Sequence, residues 1–161
     1  MDKTLKISMK PEWDEIEQMR NKYGDFMRSH TLPNDIIHAV IMVVSELIEN
    51  AIKYGIFKRE NDFVDISLTI EKKIIIIEVK NPIDDSAIPY LRHLDSTIQW
   101  IRGYQDPFET YIIKLRQVST KPQYDSESGL GLVRISYEGK SILDFYVTED
   151  NHINVSAIYK Y

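Results

Sequence analysis

The segment from Asn34 to Tyr54, NDIIHAVIMVVSELIENAIKY, restricts the fold of this chain more than any other stretch. It follows Thr31-Leu32-Pro33, where a capping hydroxyl, a proline and the first-turn acid Asp35 all suit the unbonded amides of a helix start. Gly55 stands where such a helix would stop. Up to Ser45 the helix is apolar around most of its circumference, so it has to be covered on nearly every side and is expected to be a central, deeply packed element. The 161 residues offer a single domain to cover it, which would bury roughly two-thirds of the surface of the unfolded chain.

The covering layer is legible as strands. Val64, Ile66, Leu68 and Ile70 alternate with Asp65, Ser67 and Thr69, and the Glu71-Lys72 step leads into Ile74 to Val79, which predicts a hairpin. A second hairpin is predicted from Leu143, Phe145 and Val147 against Ile153, Val155 and Ala157, joined through Glu149-Asp150-Asn151. Leu5, Ile7 and Met9 alternate with polar residues in a short strand that Pro11 closes. Helices are predicted from Glu12 to about Ser29, Ser86 to Leu94, Pro107 to Val118 and Leu132 to Tyr137, with a polar loop over Thr120 to Glu127. Together these predict a two-layer α+β sandwich: a four- or five-stranded mixed, mostly antiparallel sheet with helices on one face.

Bulk properties remove several function classes. A net charge of -5 argues against a nucleic-acid partner, which requires clustered Lys and Arg to displace counterions. Without cysteine there is neither a disulfide framework nor a thiolate metal site, and a reducing, cytoplasmic setting is the expectation. The first residues lack the apolar stretch of a secretory signal, and no apolar run approaches the roughly eighteen residues of a membrane span, so any membrane role is expected to pass through a partner. The four histidines, at 30, 38, 93 and 152, show no metal-ligand spacing.

Two short segments could carry chemistry. Glu46 and Asn50 lie one helical turn apart, along a line that is apolar in the preceding turns at Ala39, Met42 and Val43. The pair could hold a magnesium ion through the Asn50 carbonyl oxygen and take up a proton at Glu46; it could equally be the solvated end of an amphipathic helix. Ser128-Gly129-Leu130-Gly131-Leu132 places two glycines just before a predicted helix, a geometry that suits either phosphate oxygens or a plain capped turn. A Rossmann fingerprint would need a third glycine where Arg134 stands, and Gly139-Lys140-Ser141 lacks the first glycine of a Walker A loop at that same position.

Taken together, Ser45 to Gly55 and Ser128 to Leu132 resemble the N-box and second glycine box of the GHKL nucleotide-binding superfamily, and the chain looks most like its bacterial anti-sigma-factor and serine-kinase branch. The resemblance implies ATP and Mg2+ as cofactors. It gives Asn50 the metal, Glu46 the activation of a substrate hydroxyl, and Ser128, Gly129, Leu130 and Gly131 the phosphates. In that family the strand after the N-box ends in an adenine-binding aspartate followed by a glycine turn; here the position is Asn81, followed by Pro82, and the first glycine box is absent. Asn81 could accept from the adenine amino group, with Asp84 or Asp85 as substitutes, or it could begin a capping Asn-Pro turn. The implied function is a protein serine kinase or anti-sigma-type regulator of partner switching, with a degenerate, non-catalytic interaction module as the alternative. The implied partner is a small antagonist or regulator protein, and a second copy of the chain is a further candidate. The long interval between Asn81 and Gly129 holds Trp100, Tyr104, Phe108 and Tyr111, either as core or as part of a protein-binding surface.

Overall fold

The computed structural model describes residues 2–120 and 130–161. Among the described residues, five strands form one sheet: β1 (Thr4–Met9), β2 (Val64–Ile70), β3 (Ile74–Pro82), β4 (Ser141–Val147) and β5 (His152–Lys160), in the spatial order β1-β2-β3-β5-β4. Every pairing is antiparallel, so the sheet is of one kind where the sequence suggested a mixed one. The two hairpins supply β2–β3 and β4–β5. The junction between them, β3 against β5, brings Asn81 opposite Ile153 and closes the sheet across a long stretch of sequence.

Among the described residues, five α-helices cover one face: α1 (Ile16–Ser29), α2 (Asn34–Tyr54), α3 (Ile88–Arg102), α4 (Pro107–Thr120) and α5 (Leu130–Tyr137). As expected, α2 is the centre of the packing. Val40, Val43, Val44 and Ile48 are fully buried and meet a sheet face built from Leu68, Ile75, Ile77 and Ala157. Each such side chain contributes about 1.5–3 kcal/mol by leaving water. That sum far exceeds what exposed ion pairs supply, at about 0–1 kcal/mol each. The buried Tyr23 hydroxyl donates to the Ile66 carbonyl at 2.8 Å and ties α1 to β2.

Helix boundaries depart from the sequence reading in instructive places. The hydroxyl of Thr31 does not cap α2; it donates to the His30 carbonyl, and Pro33 occupies the cap position with its carbonyl accepting from Ile37. At the other end Gly55 works as predicted, through close approach: a Cβ there would lie 2.5 Å from the Ala51 carbonyl oxygen and 2.6 Å from the Phe57 ring. Strand β3 continues through Pro82, whose carbonyl accepts from the Ile56 amide at 2.9 Å, so the turn falls after it. There Asp84 caps the turn that opens α3, its carboxylate accepting from the Ser86 amide at 2.9 Å.

The predicted helix over 86–94 runs on to Arg102, so Trp100 closes α3 and Phe108 and Tyr111 open α4. These aromatics join helices together: Trp100 meets Tyr104 edge-on at 5.3 Å, while Phe108 and Tyr111 flank Tyr137 of α5 at 5.3 and 5.2 Å. Phe108 nevertheless stays 44% exposed. On the edge strand β4, the Leu143 carbonyl accepts from Arg102 at 2.6 Å and the Phe145 amide donates to the Asp144 carboxylate, which blunts the edge against pairing with another strand. Most of the polar loop predicted over 120–127 lies outside the described residues. Among the described residues no helix is long and apolar enough to cross a membrane.

Candidate functional site

The polar end of α2 opens onto a cavity of about 230 Å³. Glu46, Asn50 and Tyr54 reach it from successive turns of α2, Tyr90 and His93 from α3, and Gly131 and Leu132 from the first turn of α5. The two ends of the sequence motif, the α2 acid and amide and the glycine at the start of α5, therefore do converge. Leu130 is the first residue of α5. Ser128 and Gly129 lie outside the described residues.

Glu46 and Gly131 are in intimate contact. A Cβ on residue 131 would stand 2.5 Å from the Glu46 Oε2, closer than any side chain tolerates, so the glycine makes room for the carboxylate. The other carboxylate oxygen, Oε1, accepts from Arg134 Nη1 at 3.0 Å. Arg134 lies one turn beyond Gly131 on the same face of α5, and its Nε and Nη2 both donate to Glu138 Oε2 at 3.2 Å. The Glu46 side chain is only 17% exposed. Burial pushes its carboxyl above the ordinary value, the Glu49 charge adds to that, Arg134 opposes it and Glu138 adds again.

The Asn50 carboxamide lines the cavity one turn beyond Glu46. It borders the main cavity and a second, much smaller space of about 10 Å³ whose far wall is Asn81. Tyr90, Leu94 and Leu132 line that small space together with the two asparagines. Asn81 is 3% exposed and donates through Nδ2 to the carbonyl of Pro82 at 3.0 Å. It is thus separated from the cavity that holds Glu46. Asp84 is engaged elsewhere: an ion pair with Lys58 at 2.7 Å and bonds from Ser86 hold its carboxyl down at about 2.

Tyr90 stacks on Tyr54 with ring centroids 4.0 Å apart and planes within 9° of parallel, and burial pushes its phenol well above the ordinary value. The stack forms part of the cavity wall, and Tyr90 also lines the small space at Asn81.

The donor set suits the phosphate end of a nucleotide better than the base end. Mg2+ is commonly held by one or two protein oxygens with phosphate and water completing the shell, which the carbonyl of Asn50 beside Glu46 can provide. Consistent with that, no group of three or more His, Asp or Glu among the described residues forms a metal cage. A 10 Å³ space at Asn81 has no room for a purine, and the main cavity lies just under the roughly 300 Å³ at which ligand pockets begin.

The architecture has a solved counterpart. Over 96% of this chain and 88% of the other, it is similar to a chain in the crystal structure of the SiaB–SiaC complex from Pseudomonas aeruginosa, with a TM-score of 0.70 and 15% sequence identity. At that identity the likeness is one of fold. No protein-family profile matches the sequence, and no curated protein matches it.

Sequence reading missed Arg134, Tyr54 and Tyr90 as site residues. Two of these had a signal: Tyr54 continues the 46–50 line by one more turn, and Arg134 follows Gly131 at the three-residue spacing of a helix face. Nothing in the sequence marked Tyr90, whose position depends on how α3 packs against α5.

Proposed function

We propose that this chain is a signalling regulator of the partner-switching type that transfers a phosphoryl group from Mg-ATP to a serine hydroxyl of a small partner protein. The observation that carries the reading is the meeting of Glu46, Asn50 and Gly131 at one cavity, from segments far apart in sequence. The similarity in fold to a chain crystallised as part of a two-protein complex supports a protein partner.

In this reading bound ATP with Mg2+ supplies the phosphoryl group and the charge that draws it. Asn50 offers its carbonyl oxygen to the metal, and the positive end of α5, at Gly131 and Leu132 on the cavity wall, faces phosphate oxygens. Glu46 accepts the proton of the partner's hydroxyl as that oxygen bonds to phosphorus and the bond to ADP breaks. Calorimetry with Mg-ATP tests the proposal. Binding that Asn50→Ala abolishes supports it, and the absence of any heat at millimolar nucleotide overturns it.

One observation favours a second reading, a protein-binding domain that holds no nucleotide: the space that Asn81 lines with Tyr90, Leu94 and Leu132 is only about 10 Å³. Under that reading the protein binds its partner with the same affinity in the presence and absence of Mg-ATP.

A further inference from the structure

We infer that Arg134 is the positioning residue of this site, fixing the direction and the charge of the Glu46 carboxylate at the cavity wall. Two features of α5 converge on that one side chain. Gly131 leaves the space that Oε2 occupies, and Arg134, a turn later, donates to Oε1 at 3.0 Å. An ion pair that merely fastened α5 to α2 would need the arginine but not the glycine.

Arg134 is itself held. Glu138 takes its Nε and Nη2 at 3.2 Å, which leaves Nη1 directed at Glu46. Among the described residues, the charged and titratable groups around Glu46 are Glu49 and Lys53 on α2, His93 on α3, and Arg134 and Glu138 on α5. Two of them are acids that repel the carboxylate, and the side chain is largely withdrawn from water. Arg134 is in direct contact with Glu46 and opposes both effects. The kinetic consequence rests on the phosphoryl-transfer reading; the hold on Glu46 does not.

The test separates the two. Carboxyl NMR titration of the chain labelled with 13C-glutamate, with the Glu46 signal assigned by Glu46→Gln, needs no ligand. Arg134→Gln should move the Glu46 midpoint up, Glu138→Gln should move it down, and Arg134→Lys should return it close to the starting value. In parallel, with Mg-ATP as the probe and water accepting the phosphoryl group in place of the partner's hydroxyl, Arg134→Gln should lower ADP formation at saturation by tenfold or more while KM changes less than twofold, and Arg134→Lys should recover most of the rate. A Glu46 midpoint unmoved in folded Arg134→Gln overturns the inference. If the native chain neither binds Mg-ATP at millimolar concentration nor forms ADP, the phosphoryl-transfer reading falls, and the titration still decides what Arg134 does.

Discussion

Glu46 Oε1 accepts from Arg134 Nη1 at 3.0 Å across 88 residues of sequence, and this single contact orients the acid of α2 from the helix that follows the glycine segment. Glu46 also lies against Gly131 through its other oxygen, so the site is coupled to the start of α5 at both ends of one carboxylate.

Gly131→Ala therefore tests the closeness of that contact. The added methyl would stand 2.5 Å from Oε2, so the Glu46 carboxylate must swing aside and give up its bond from Arg134, at a cost of about 1 kcal/mol of stability. Most of the loss should disappear in a Glu46→Ala background, because the clash is removed with its partner. Urea unfolding of the four members of this cycle measures the coupling, and additive losses would mean that the glycine serves the backbone instead.

Asn50 and Glu46 should separate binding from chemistry. Asn50→Ala is expected to abolish magnesium-dependent nucleotide binding, whereas Glu46→Ala should leave binding intact and slow transfer by a factor on the order of a hundred. Calorimetry and single-turnover kinetics read the two effects independently. Equal loss of binding in both variants, accompanied by a melted fold, would make the polar end of α2 structural.

Tyr90→Ala should open the space between Asn50 and Asn81. We expect Mg-ATP to bind more tightly to this variant, at a cost of up to about 3 kcal/mol in stability for the lost ring and its stack on Tyr54. Unchanged nucleotide affinity in a folded variant would show that the ring does not block the base.

The pH dependence has two opposite signs. Burial raises the Glu46 carboxyl in the folded chain, so the folded state binds more protons than the unfolded one, and stability from this group falls as pH rises from the ordinary carboxylate value through the raised one. The acid limb of transfer should correspondingly lie above the ordinary carboxylate value. Asp84 behaves in reverse: held at about 2 against an ordinary 3.8, it adds stability above that ordinary value, which is lost as pH falls toward the lower one. Urea midpoints across acid pH should show the difference between the native chain and Asp84→Asn shrinking through that window.

The aromatic interval also yields a measurable expectation. Trp100 and Tyr104 contact one another, and Lys114 Nζ sits 5.4 Å from the Trp100 ring centre, so the double alanine variant should lower the melting temperature. Analytical ultracentrifugation on the same variant tells whether the rings also mediate association. A changed mass in solution with an unchanged melting temperature would assign them to an interface between copies.

The sequence by itself determined the elements that rest on local periodicity. The continuous apolar surface of residues 34–44 leaves a central helix as its outlet, and the two-residue alternation in 64–70 and 153–157 can present an apolar face only as strands. Capping and turn chemistry placed Gly55 and the Asp84 turn within a residue or two. It also brought Glu46, Asn50 and Gly131 forward as candidates, because helical spacing and glycine content are written along the chain. What only the tertiary structure decided are relationships between segments that share no local pattern: the pairing of β3 with β5, the passage of β3 through Pro82, the packing of Tyr90 beside the small space at Asn81, and the reach of Arg134 to Glu46. Each depends on how whole helices settle on the sheet. Periodicity fixes which face of an element is buried, whereas the distance between two polar side chains on different elements is set by the packing of all the apolar ones beneath them.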